Sequence, residues 1–419
     1  MKLRSFPKGL LFSAALAFSA TLARAEGLQP NDTVAICGDS ITEQKLYSVF
    51  MEDYLLMCQP APKLQTVQFG WSGETAQGFL ARLKNDVLAF KPTVATTCYG
   101  MNDGGYAALA PERATLYKTS MEGIVKTFKE NGVRFLVVGS PGAVDTDSFK
   151  KLSPDVYNKT LSELTAIARE VAEKNGCAFA NVHDVMVDVM AKAKAKYGKT
   201  YIVGGGDGIH PGANGHIIMA YAFLKALGCS GDIGTITLDL KSGSADATEG
   251  HKVLSAKDGT VEVESSRYPF CFTGTPTDPT GTIGITEFLP FNQDLNRFIL
   301  VVKNAPAGQL KVTWGTESKT FSSADLEKGI NLAAEFPQNP FSKPFATVEA
   351  VIREQQIYET PATKSMMHSL LDWRKNFPEN EDSYKKMADK IVQKDVALRE
   401  ATAKAIVPVK HTITVEAVK

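Results

Sequence analysis

The chain has 419 residues, with 46 Lys and Arg against 46 Asp and Glu, and 44% of it is hydrophobic. That apolar share, with no long charged block, excludes a mainly disordered chain, and the lack of a Gly-X-Y pattern or a fixed period excludes collagen-like and repeat architectures. The even charge balance argues against a nucleic-acid partner, whose phosphates demand a basic surface.

At the start, Lys2, Arg4 and Lys8 precede an apolar run from Gly9 to Ala20, and the stretch ends on Ala23-Arg24-Ala25. Residues 1–25 therefore read as a secretory signal peptide cut after Ala25. An integral membrane anchor is not expected, because the run falls short of the roughly 20 residues that span a bilayer. Cleavage removes four basic and no acidic side chains and leaves a net charge of −4. The mature protein is expected to be secreted or periplasmic. Its six cysteines, at 37, 58, 98, 177, 229 and 271, show no CxxC spacing. Buried thiols are expected, with room for one disulfide, and a zinc or thiol-redox site is not.

From 28 to 230 strands and helices alternate. Val34–Cys37 is a short apolar strand that ends in a Gly-Asp-Ser turn, and residues 43–57 carry apolar side chains at helical spacing. A strand over 64–69 and a helix over 75–89 follow, then a strand over 93–98 and a helix over 116–130 that stops at Asn131-Gly132. The run 133–138 has the continuous apolar character of a strand buried on both faces. A helix over 161–174, a strand over 178–182, a helix from Asp184 and a last helix over 212–227 complete the region. Such alternation predicts an α/β domain, a three-layer doubly wound parallel sheet with ligands beyond the carboxyl ends of its strands. Residues 231–345 read as a β-rich, sandwich-like domain, with strands at 235–240, 260–264, 298–302 and 310–314. Residues 346–419 read as a charged helical segment, interrupted at Phe377-Pro378, with a closing strand at 411–418. Whether this segment leaves the β domain as an excursion or braces the first domain stays open.

Four groups of residues lie at or near strand ends: Gly38-Asp39-Ser40, Trp71-Ser72-Gly73-Glu74-Thr75, Gly100-Met101-Asn102-Asp103 and Asp207-Gly208-Ile209-His210. Together they supply what acyl transfer needs. A serine hydroxyl becomes a good nucleophile when an imidazole takes its proton, and a carboxylate fixes the tautomer of that imidazole. Donors are also needed where negative charge develops, and a glycine N–H or an Asn amide can provide them.

These blocks, in this order, resemble the SGNH hydrolases, the GDSL-type esterase and lipase superfamily, over about residues 32–228. The resemblance implies a flavodoxin-like sheet and a catalytic triad of Ser40, His210 and Asp207. It also implies an oxyanion hole from the N–H groups of Ser40 and Gly73 and the side chain of Asn102, and it requires no cofactor. Gly70 is the alternative for the second-block glycine. Trp71, Tyr99 and Tyr106 flank the blocks and are candidates to line the substrate pocket, with 140–145 a candidate for its rim. A metal site from Asp207, His210 and His216 is the weaker alternative, because the helix carrying His216 would have to fold back on the loop. His183-Asp184 reads as a hydrogen-bonded strand end. Trp314 and Trp373 are read as core residues sooner than as a sugar-binding surface.

The expected activity is hydrolysis of an ester through an acyl-enzyme, with an acetyl ester of a carbohydrate preferred over a lipid or thioester substrate. The partner is then a small-molecule or glycan ester. A non-enzymatic glycan-binding scaffold with a relic hydrolase domain is the alternative from another class.

Overall fold

A computed structural model describes residues 27–418, so the expected signal segment lies outside the described residues. Five strands form a parallel sheet: β1 (Thr33–Gly38), β2 (Gln65–Gln68), β3 (Val94–Cys98), β4 (Phe135–Gly139) and β5 (Ala178–Ala180). Their order is β2-β1-β3-β4-β5, the flavodoxin-like arrangement, with its switch point between β1 and β3. Every residue of β3 and β4 is buried, as parallel strands covered on both faces require.

Alternate side chains feed two cores. Val34, Ile36, Val94 and Val137 face α2 (Tyr47–Asp53), α6 (Val182–Tyr197) and α7 (Ala213–Ala226). Ala35, Cys37, Ala95 and Val138 face α3 (Ala76–Asp86), α4 (Pro111–Glu130) and α5 (Pro154–Lys174). α4 and α5 start five and seven residues before the expected 116 and 161, each with a proline in its first turn. Proline is preorganised there and gives up no hydrogen bond, but such polar first turns carry no apolar periodicity to reveal them. The expected helix over 43–57 is broken. One turn, α1 (Ser40–Glu43), is followed by Lys45 at φ 56°, then α2 and a π-helical turn over Tyr54–Cys58.

The second half holds two further sheets, in the order β13-β10-β6-β7 and β12-β11-β14-β9-β8. The strands are β6 (Asp232–Asp239), β7 (Ser244–Ala247), β8 (His251–Lys257), β9 (Thr260–Ser265), β10 (Arg297–Lys303), β11 (Gln309–Trp314), β12 (Glu317–Ser322), β13 (Ile330–Asn331) and β14 (Val409–Ala417). β7, β8 and β12 carry no apolar alternation to mark them in the sequence, because they expose half or more of their residues. Trp314 is fully buried between Phe298, Phe336, Phe341 and His411, so its place is in this core.

Short helices α8 (Phe291–Asp294), α9 (Ser323–Lys328) and α10 (Leu332–Glu335) decorate the β region, and then α11 (Ser342–Pro361) begins the helical segment. It continues through a π-helical stretch, Ala362–Met367, into α12 (His368–Asn376) and α13 (Glu381–Ala405). Both readings left open by the sequence hold. The segment leaves the β region and returns to it as β14, inserted between β11 and β9. On the way it braces the first domain: Ser48 donates to Gln356 Oε1 at 2.7 Å, and the Gln68 N–H donates to Glu359 at 2.8 Å. All six cysteines are free, five of them buried and Cys177 partly so. No helix among the described residues is long and apolar enough to cross a membrane.

Candidate functional site

The Gly38-Asp39-Ser40 turn carries β1 straight into α1. A Cβ on Gly38 would meet Thr42 Oγ1 at 2.1 Å and the Cys98 carbonyl at 3.0 Å, so only glycine lets the strand turn here. Asp39 caps α1, accepting the Ile41 N–H at 3.0 Å, and burial pushes its carboxyl up to about 7. Ser40 is the first residue of that helix, so its own N–H has no intrahelical acceptor.

Asp207 and His210 arrive on a glycine-rich loop. Asp145 is fully buried and accepts the N–H groups of Val203 and Gly204 at 3.1 and 3.2 Å, while its own N–H donates to the Gly208 carbonyl at 2.9 Å. Gly205 permits the fold of the loop: a Cβ there would sit 1.8 Å from the His210 carbonyl oxygen. Asp145, at the end of the segment 140–145, thus holds this loop.

The loop ends meet. His210 Nδ1–H donates to Asp207 Oδ2 at 2.7 Å, and Ser40 Oγ–H donates to His210 Nε2 at 2.8 Å. Asp207 Oδ1 also accepts the N–H groups of Ile209 and His210 at 2.9 and 3.0 Å. Partial burial raises the Asp207 carboxyl, but these hydrogen bonds outweigh it and hold the group below the ordinary carboxylate range.

Gly73 has φ 76°, open space where a Cβ would stand, and an N–H without a partner in the described protein. The rival glycine is committed elsewhere: the Gly70 N–H donates to Gln68 Oε1 at 2.9 Å, and its Cα packs on the Glu43 backbone. Asn102 Nδ2 donates to the Glu74 carbonyl at 3.0 Å, which leaves one of its two hydrogens for a ligand, and its Oδ1 accepts the Tyr106 hydroxyl at 3.2 Å. Asp103, next in the chain, ties two loops together by accepting from Gly100 and Ala76, each at 3.0 Å. Burial raises its carboxyl to about 6.

Tyr99 requires a correction. It is fully buried, stacks on Phe79 and donates its hydroxyl to Glu74 Oε2 at 2.9 Å, so it lines no pocket. Its inward turn satisfies a charge pair that sequence reasoning missed. Glu74 takes Arg82 through both oxygens, at 2.6 and 2.8 Å, and Arg82 also donates to the Phe69 carbonyl at 2.7 Å. Burial opposes the Arg82 charge, yet the bonds to Glu74 more than offset it and raise its pKa. His216 is no ligand either. It accepts the Tyr47 N–H at 3.1 Å and donates to Gln44 Oε1 at 3.1 Å, and burial lowers its pKa to about 3. His183 bonds Asp184 at 2.9 Å.

The loop bearing Gly73 opens into a cavity of about 390 Å³ whose wall includes Trp71, Gly73, His368 and Leu371. The C-terminal helical segment therefore reaches the loop that carries Gly73. Lys364 donates to Glu43 at 2.9 Å, and Glu43 accepts the Ser72 hydroxyl at 2.6 Å. Another cavity, of about 420 Å³, lies between α12 and α13 beside the exposed Trp373 and Phe377, with none of the expected site residues in its wall.

The profile of the GDSL-like lipase/acylhydrolase family matches residues 36–218, a stretch that begins within β1 and ends within α7. The parallel-sheet domain belongs to the SGNH hydrolase superfamily. With that membership the protein is a carboxylic ester hydrolase. The SGNH domain is 22% identical over 187 residues to an acetylxylan esterase of Geobacillus stearothermophilus, a match that takes in 43% of this chain and 80% of that one. A solved structure described as BT4096, a gut microbial diltiazem-metabolizing enzyme, is similar across nearly the whole protein. It covers 95% of this chain and 100% of its own, at a TM-score of 0.71 and 22% identity, a likeness of fold. A crystal structure of the Geobacillus acetylxylan esterase Axe2 covers 48% of this chain and 97% of its own, at a TM-score of 0.41 and 20% identity.

Proposed function

We propose that the SGNH domain is an exported serine esterase that removes acetyl groups from O-acetylated carbohydrate. The observation that carries the mechanism is the unbroken run from Ser40 Oγ through His210 to Asp207, with hydrogen bonds of 2.8 and 2.7 Å. His210 Nε2 takes the Ser40 proton as the oxygen attacks the ester carbonyl, and the imidazolium is steadied by Asp207. The oxyanion is met by the N–H groups of Ser40 and Gly73 and the free hydrogen of Asn102. His210 returns the proton to the departing alcohol. It then takes one from water, which attacks the acyl-enzyme, and passes it to Ser40 Oγ as the bond to the acyl carbon breaks and the acid is released. Every proton and electron pair in this cycle is handled by side chains and water, so the reading calls for no metal or organic cofactor.

The acetyl and carbohydrate parts of the proposal draw on the likeness to the acetylxylan esterase, and export draws on the signal-like residues 1–25. The test is hydrolysis of acetyl and long-chain 4-nitrophenyl esters by wild type and Ser40→Ala, alongside labelling with a fluorophosphonate. Acetyl-selective turnover that disappears in Ser40→Ala, with labelling of Ser40, is the expected result. Long-chain preference would move the assignment to lipids. An unlabelled Ser40 in a protein that still binds glycans would restore the scaffold reading.

A further inference from the structure

In the cavity beside Gly73, His368 is set in a way that simple packing does not demand. Its Nδ1–H donates at 2.8 Å to Asp86, a fully buried carboxylate at the end of α3, which fixes the ring and leaves Nε2 as the free polar atom. Nε2 has no partner in the described protein, and 38% of the side chain is exposed. The ring stands edge-on to Trp71, with centroids 4.9 Å apart. Trp71 is itself held by the cations of Arg82 and Lys364, at 4.9 and 5.2 Å from its ring. The result is a preorganised wall: an oriented imidazole nitrogen beside the aromatic Trp71 and the apolar Leu371, running up to the proposed oxyanion donor Gly73.

The wall of this cavity of about 390 Å³ includes Gly73 but not Ser40, His210 or Asn102, so the cavity lies beside the reacting ester and not around it, open to a neighbouring part of the substrate. We infer that it is a subsite for the alcohol portion of the ester, a glycan ring whose hydroxyl bonds His368 Nε2 while its C–H surface lies against Trp71 and Leu371. His368 is then a specificity-determining residue contributed by the C-terminal helical segment. The inference rests on the esterase reading above.

Two measurements separate the subsite from the serine mechanism. The first compares wild type, His368→Ala and His368→Gln on acetylated xylo-oligosaccharides and on vinyl acetate, whose alcohol portion is too small to reach His368. The second titrates unacetylated xylotetraose into Ser40→Ala with and without His368→Ala. Loss of a fixed hydrogen bond and its packing should raise KM for the oligosaccharide ester about tenfold in His368→Ala, with little change in kcat. Vinyl acetate kinetics should be unchanged, and xylotetraose binding should weaken by a similar factor. Gln retains a polar group and should fall between the two.

Equal KM and equal xylotetraose binding would overturn the subsite while leaving the serine mechanism intact. A change in acyl-length preference without a change in alcohol preference would reassign the cavity to the acyl group and also overturn it. Full activity in Ser40→Ala would instead sink the esterase reading, and the titration would then judge the sugar site alone.

Discussion

Glu52 of α2 and Gln355 of α11, more than 300 residues apart in the chain, are joined by a buried hydrogen bond of 2.9 Å from Gln355 Nε2 to Glu52 Oε1. The second hydrogen of that amide goes to Glu359, also at 2.9 Å, and Glu52 takes a further bond from Gln356 at 2.8 Å. Two buried carboxyls thus share one donor across the seam between the SGNH domain and the helical segment.

This seam makes stability depend on pH in a defined direction. Burial raises the Glu52 carboxyl to about 7, and burial also raises that of Glu359. An acid whose folded pKa is raised favours the fold fully below its unfolded pKa, and that contribution is lost as the pH rises through the folded value. From pH 5 to 8 the melting temperature should therefore fall, and Glu52→Gln should flatten the slope. Gln355→Leu should cost roughly 1–3 kcal/mol, because it strips a donor from two buried carboxyls, and more at pH 8 than at pH 5. Thermal melts across that range check both.

The β region carries the opposite dependence. Trp314 Nε1–H donates to His411 Nδ1 at 3.1 Å, so His411 Nε2–H must donate to Ser265 at 2.9 Å. The Ser265 hydroxyl then donates to His251 Nδ1 at 2.8 Å, and His251 Nε2–H donates to the Ile233 carbonyl at 3.0 Å. A proton added to His411 would face the Trp314 N–H, which can only donate. Burial accordingly lowers His411 to about 3, and burial lowers His251 as well. The contribution of a base with a depressed pKa is present above its unfolded value and lost as the pH falls toward the folded one. The indole N–H signal of Trp314 should lose its dispersion between about pH 5 and 3, and His411→Gln should move that transition to lower pH.

Asn102→Ala removes a donor proposed to meet the oxyanion. The expected change is a fall in kcat of about 10²–10³ with a small effect on KM. Steady-state kinetics on an acetyl ester decide it, and an unchanged kcat would remove Asn102 from the oxyanion hole.

Arg82→Met leaves the buried Glu74 carboxylate without its partner, at a cost of about 3–5 kcal/mol. The same loop carries Gly73 and the carbonyl that holds Asn102, so kcat/KM should fall together with the melting temperature. Arg82→Lys keeps the charge but loses the two-pronged contact and should recover only part of either.

The blocks around Ser40 and His210 were legible because much of their geometry depends on neighbours close in the chain. Gly38 is required by Thr42, Asp39 caps the turn that starts at Ser40, and Asp207 and His210 are three residues apart. The direction in which Tyr99 points was not legible, since it depends on a charge pair assembled from a loop and α3. His368 gave no signal either. It is an isolated histidine in a charged helix, and its meaning comes from Asp86, 282 positions away. Edge strands such as β8 and β12 escaped for the opposite reason: much of their surface meets water, so no apolar pattern is imposed on them.

The place of β14 has a consequence for how the molecule comes into being. Its strand lies in the middle of a sheet whose neighbours, β9 and β11, precede it by roughly a hundred residues or more. Until residues 409–417 are available, those two strands have a gap where their shared partner belongs, and the sheet cannot zip from one end to the other. During synthesis the SGNH sheet has all its strands once residue 180 has emerged, and the β13-β10-β6-β7 sheet once residue 331 has, whereas the sheet that holds β14 must wait for residues 409–417. A nascent chain stalled before β14 would carry one sheet held open, and that interval is when a chaperone or protease would find it.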